Sequence, residues 1–108
     1  MKTDLQEAMT AGVYVEFRDA QGHTVGEAVF TDWRGRPLPA VGDTMCCSTR
    51  STISGRLEKL RGRVLSRHFE LQHDEEQPCV WARLVLQIIS AAEMARSRNS
   101  RHLRFSTN

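Results

Sequence analysis

Val80-Trp81-Ala82-Arg83-Leu84-Val85-Leu86-Gln87-Ile88 is the stretch that decides the fold class. Val80, Ala82, Leu84, Leu86 and Ile88 recur at every second position, the period of a strand with one buried face, where a helix would repeat every three to four. Arg83 and Gln87 interrupt the apolar run, which falls well short of the roughly 20 residues that span a bilayer.

The same period appears upstream, where Val13, Val15 and Phe17 alternate with Tyr14, Glu16 and Arg18. Asp19-Ala20-Gln21-Gly22 has turn chemistry, and residues 23–33 read as the return strand of a hairpin, with Gly26 and Glu27 marking a bulge. Pro37, Pro39 and two glycines make residues 34–43 an exposed connection. A short strand follows at Thr44–Ser48. The hydroxyl-rich segment from Ser48 to Gly55 reads as a loop leading into one helical turn across Arg56–Leu60.

Leu60–Gln72 reads as a long strand whose apolar positions change parity, from Leu60 and Val64 to Leu65, Phe69 and Leu71. Gly62 or a neighbouring bulge would bend it, as a barrel corner requires. Asp74–Pro78 is an acidic turn. Ser90-Ala91-Ala92-Glu93 matches the S-x-x-E capping box and opens a short helix; Thr3 and Gln6 make a weaker box near the start.

These elements predict a mainly β fold: a small, five-stranded, strongly curved antiparallel sheet or a partly open SH3-like or OB-like barrel, with short N-terminal and C-terminal helices. A two-layer α+β sheet with the terminal helix across one face is the alternative. Residues 1–10 read as an arm or short helix, 11–97 as one barrel-like domain and 98–108 as a flexible basic tail. The 108 residues suit one domain, and 40% hydrophobic with 26% charged residues is ordinary globular composition, which disfavours a disordered or fibrous chain. The first residues resemble no signal peptide, and three cysteines, two of them adjacent, make a poor disulfide framework. A cytoplasmic location with reduced thiols is expected.

The net charge of +2 conceals segregation: residues 1–32 carry −4, 33–67 carry +6, 68–95 carry −4 and 96–108 carry +4. Thirteen of the 15 bases are arginine, whose planar fork grips phosphate or carboxylate with two hydrogen bonds where lysine offers a point charge. Trp33-Arg34-Gly35-Arg36 and Arg61-Gly62-Arg63 each set two guanidiniums around a glycine, and Trp33 is placed to act as a stacking platform. The expected surface for nucleic acid or another polyanion comprises Trp33, Arg34, Arg36, Arg50, Arg56, Arg61, Arg63 and Arg67. The competing explanation is that these arginines are solvated strand edges that deter aggregation.

Ser51, Thr52, Ser54 and Gly55 form a candidate anion loop, although the segment lacks the P-loop pattern and its hydroxyls serve equally well to end a strand and cap a turn. His68, His73 and Cys79 lie in series without the spacing of a metal site, and no nucleophile, base and orienting group stand at interpretable intervals. The reading is therefore a nonenzymatic binding module, without metal or cofactor, whose partner is nucleic acid or an acidic protein surface. A protein-interaction or self-associating adaptor, including a homodimer, is the alternative suggested by the two-signed charge pattern.

Overall fold

The computed structural model describes residues 10–33, 36–51, 54–73, 78–95 and 102–106. Their strands are β1 (Thr10–Arg18), β2 (Thr24–Phe30), β3 (Thr44–Arg50), β4 (Leu57–His73), β5 (Pro78–Ile88) and β6 (His102–Ser106), with one short helix, α1 (Ala91–Ala95), before β6. They form a single sheet in the order β2-β1-β5-β4-β3-β6. Five long strands curl it into a half-barrel, and β6 extends it beyond β3.

The curl originates in β4. Its first residues, Leu57–Arg63, pair antiparallel with β3, and Gly62–His73 pair antiparallel with β5, so that only Gly62 and Arg63 have partners on both sides. A bulge at Leu65, between the pairs Val64↔Leu86 and Ser66↔Val85, reverses the parity of the strand and accounts for the shift in apolar positions noted in the sequence. Val64 donates to the Asp43 carbonyl and accepts from Gly42, fastening the preceding loop to this bend at 2.9 Å in both directions. Asp43 itself closes that loop, its carboxylate accepting from Ala40 N–H at 2.8 Å.

Bending brings inward-facing residues of opposite strands together, and glycine makes the room. A Cβ on Gly62 would meet Leu86 Cβ at 2.8 Å and Phe17 at 3.1 Å; one on Gly26 would lie 2.3 Å from the Leu60 side chain. With these gaps filled by its neighbours, the core packs Val13, Val15 and Phe17 of β1 against Met45, Leu60, Leu84 and Leu86. The outer edge of β2 then reaches the end of β3 through a bridge between Gly26 and Ser51. Thr49 Oγ1 donates to the Glu27 carbonyl, and Ser51 Oγ to that of Val25 at 3.4 Å, so hydroxyls join this seam beside a single backbone bridge.

Several local expectations change. The sheet is mixed: β1 lies parallel to β5 and β6 parallel to β3, because the long intervening chain permits the crossover that parallel neighbours need. Of the residues expected to form a helical turn across 56–60, Arg56 lies in the loop before β4 and the rest belong to β4 itself, since Glu58, Lys59 and Leu60 pair with Thr49, Ser48 and Cys47. The 98–108 segment, read as a flexible tail, contributes β6, whose backbone finds a partner in the open edge of β3. In β2 the additional residue is Val25, beside Gly26, since Phe17 pairs with Gly26 and Arg18 with Thr24. The N-terminal helix lies outside the described residues, whereas the Ser90 capping box is present: Glu93 N–H donates to Ser90 Oγ at 3.1 Å and Ser90 N–H to Glu93 Oε1 at 3.4 Å.

Gly62→Ala tests the bend, because the atom nearest the new methyl group is Leu86 Cβ, which cannot swing aside as a chain end can. A loss of about 1–3 kcal/mol, typical of overpacking, is expected by urea denaturation; unchanged stability would show that the close approach is not needed.

Candidate functional site

Strand parity divides the arginines between surfaces. On β3, Thr44, Cys46, Ser48 and Arg50 occupy the outer face opposite Met45 and Cys47; on β4, Lys59, Arg61 and Arg63 alternate with the buried Leu60, Gly62 and Val64. Arg50, Lys59, Arg61 and Arg63 therefore share the outer face of the β3–β4 pair. No acidic residue occupies an outward position on either strand segment. Among the described residues, no carboxylate forms an ion pair with Arg50, Lys59 or Arg61. The β6 backbone runs alongside, placing Arg104 in register with Cys46.

The remaining predicted residues lie elsewhere. Trp33 is only 1% exposed, packed edge-to-face on Phe30 with 5.2 Å between ring centroids and with the Arg36 guanidinium 5.8 Å above its ring. It plugs the core and cannot be the stacking platform the sequence suggested: the chain leaving β2 turns inward, held by the Trp33 N–H bond to the Ala11 carbonyl. Arg36 is exposed beside it, and Arg34 falls outside the described residues. Arg67, beyond the bulge, lies on the opposite face, with its guanidinium 5.4 Å from the Phe69 ring and Nη1 donating to the Pro39 carbonyl at 3.4 Å. Arg56 is exposed in the loop before β4.

The candidate anion loop directs its polar groups inward on itself. Ser51 Oγ accepts from Ser54 N–H, Gly55 N–H donates to the Ser51 carbonyl, and Arg56 N–H donates to Ser54 Oγ. Ser54 Oγ donates to Glu58 at 2.8 Å, and Arg50 Nη1 to the Gly55 carbonyl at 2.6 Å. The three consecutive N–H groups from Ser54 to Arg56 thus support the turn instead of converging on a ligand. Thr52 lies outside the described residues.

A second feature on the outer face went unremarked in the sequence. Two rows of cross-strand neighbours, Gly12–Trp81–Glu70 and Tyr14–Arg83–His68, line up across β1, β5 and β4. Tyr14, Glu70, Trp81, Ala82 and Arg83 border a cleft of about 350 Å³. The available signal was parity: Trp81 and Arg83 occupy the outward positions of the alternating strand, where a large aromatic side chain is not core.

Two positions along β1 from Tyr14, the nearly buried Glu16 carboxylate is paired with Arg18 and lies 3.6 Å from Arg83 Nη2. The hydrogen bond from Arg18 is the main influence holding the Glu16 carboxyl below its ordinary range; both guanidinium charges act in the same direction against burial. Arg83 also stacks over the Tyr14 ring at 5.2 Å. Burial, reinforced by the hydrogen bond to Glu27, raises the Tyr14 phenol.

Cys46 and Cys47 face opposite sides of β3, and both are free thiols, as is the half-buried Cys79. Burial, followed by the neighbouring Cys46, pushes the Cys47 thiol up to about 12. Among the described residues, no group of three or more His, Cys, Asp and Glu side chains could hold a metal ion. No helix there is long and apolar enough to cross a membrane. Compared with protein-family models, with curated protein sequences and with solved structures, the chain matches none.

Two outcomes follow from these environments. Because Glu16 has a lowered folded-state pKa, its stabilisation is present above the ordinary glutamate value of 4.5 and is lost as pH falls through the folded value. Glu16→Gln should therefore flatten the decline in unfolding free energy below about pH 4.5; an unaltered decline would contradict the assignment. At pH 8, alkylation of the native protein should spare Cys47, with peptide mapping showing its modification only after denaturation.

Proposed function

We propose that the protein is a nonenzymatic binding module that holds a polyanion, nucleic acid foremost, on the outer face of β3 and β4. The observation that carries this reading is the gathering of Arg50, Lys59, Arg61 and Arg63 on one face without an acidic residue among the outward positions of Thr44–Arg50 and Leu57–Arg63. Alternate residues on a strand stand roughly 6.6 Å apart. Lys59, Arg61 and Arg63 therefore present a row of cations about 13 Å long, beside which Arg50 adds a second line. Arginine in such a row contacts successive phosphates through two donors each, and the strand fixes the spacing that a flexible basic tail would lose.

Arg36, Arg56 and Arg67 are not part of this row. They lower the electrostatic cost of an approaching anion from a distance, an effect that salt screens within about 10 Å at 0.1 M. The outer face is then a phosphate-directed surface of modest area, with affinity dominated by counterion release and little intrinsic sequence preference.

Fluorescence anisotropy with a labelled single-stranded oligonucleotide, repeated over a range of salt, measures that release. Replacing both Lys59 and Arg61 with glutamine should weaken binding across sequences and reduce the log–log salt slope by roughly 1.4, from a contribution of about 0.7 per phosphate neutralised. An unchanged slope with unchanged affinity, or absence of binding at low salt, would remove this face as the binding surface.

A further inference from the structure

The cleft above Trp81 is built around a missing side chain. A Cβ on Gly12 would lie 2.6 Å from both Cη2 and Cζ2 of Trp81 and 2.7 Å from Cε2. Near-equal distances to three consecutive atoms of one ring mean that the indole lies flat against the Gly12 backbone. One indole face is covered by main chain while the half-buried residue also lines the cleft. No described cation stacks on it: Arg83 takes the Tyr14 ring, and the other two arginine–aromatic contacts involve Trp33 and Phe69. The ring is thus held against main chain on one side while the half-buried side chain borders the cleft, the condition for stacking a planar ligand without a large ordering cost.

Next to it, Glu70 pairs in register with Trp81 and lines the same cleft, with His68 Nε2 3.6 Å from its carboxylate. A carboxylate here repels phosphate but accepts hydrogen bonds, so this end of the face is chemically complementary to an amino-bearing planar group. The cationic end begins with Arg63, in register with Gln87. Gln87 lies six positions along β5 from Trp81, a distance of roughly 20 Å along one strand, with Arg83 and the outward position of Val85 between them.

Resting on the polyanion reading above, we infer that the outer face binds single-stranded nucleic acid, with a base carrying an exocyclic amine, cytosine foremost, stacked on Trp81 and bonded to Glu70 while its phosphates continue toward Arg63 and Arg61. A duplex cannot satisfy this arrangement, since its bases have no free face. Stacking on an aromatic platform is tolerant of base identity; Glu70 adds the preference, because the cytosine amine donates where uracil presents a carbonyl oxygen.

The test titrates the intact chain with oligocytidylate, oligouridylate, an abasic oligomer of equal length and polyglutamate of equal charge, reading both anisotropy and tryptophan fluorescence. Trp33, buried in the core, supplies a constant background, so quenching reports Trp81. Oligocytidylate is expected to quench saturably and bind more tightly than oligouridylate, with the abasic oligomer binding by phosphate alone and leaving fluorescence unchanged. Trp81→Leu should weaken oligocytidylate about tenfold while leaving abasic affinity unaltered, and Glu70→Gln should narrow the cytidine-to-uridine difference. Equal affinity for base-bearing and abasic oligomers would overturn the base site while leaving the polyanion surface intact. Quenching by polyglutamate would overturn it in favour of an acidic peptide, and absence of all oligomer binding would overturn both. If Trp81→Leu fails to fold, the fluorescence comparison in the unmodified chain decides the matter.

Discussion

Curling a sheet until one edge nears the other requires space where inward-facing side chains would collide. Gly62 yields its place to Leu86 and Phe17, and Gly26 yields its place to Leu60. Without these exchanges β4 could not serve β3 with its first half and β5 with its second, and the two halves of the sheet would splay. The core, the meeting of β2 with β3 and the alignment of outward residues all depend on this economy of volume. The bulge at Leu65 completes it by rotating the remainder of β4, which sends Arg67 and Phe69 to the opposite face from Arg61 and Arg63.

How much of this was legible follows from which signals are local. The alternation of Val80–Ile88 and the parity change in Leu60–Gln72 are properties of one strand, and both carried through to β5 and to the bent β4. Neighbour identity is not local: nothing in Thr10–Arg18 announces that it will lie parallel to β5, and nothing in His102–Ser106 reveals the edge it joins. The two tryptophans make the same point about the site. Trp33 sits in a glycine- and arginine-rich stretch that looks exposed, yet the core claims it; Trp81 stands in the most regular strand, yet its parity turns it outward. Composition around a residue was a poorer guide than its position within the alternation.

The charge blocks acquire a spatial meaning through the same parity rule. The basic centre of the sequence divides into a row on the outer face of β3–β4 and a scatter of individual arginines, whereas two acids that seemed only to balance the net charge have specific tasks. Glu16 pairs with Arg18 and with Arg83, which borders the cleft, and Glu70 gives the far end of the same face a different chemical character from the arginine row. One continuous sheet surface thus changes from cationic to aromatic and hydrogen-bond accepting along its length.

The parallel pairing of β1 with β5 also constrains how the chain comes into being. Each ladder partner from Val13↔Ala82 to Arg18↔Gln87 lies 69 residues away in sequence. At a synthesis rate of roughly 5–20 residues per second, β1 waits several seconds for the strand that completes its hydrogen bonding. During that interval the β1–β2 hairpin has an unpaired inner edge and an apolar face without a core, so the nascent chain passes through a stage that favours contact with chaperones or other unfinished chains. The finished half-barrel conceals that early vulnerability within its sheet.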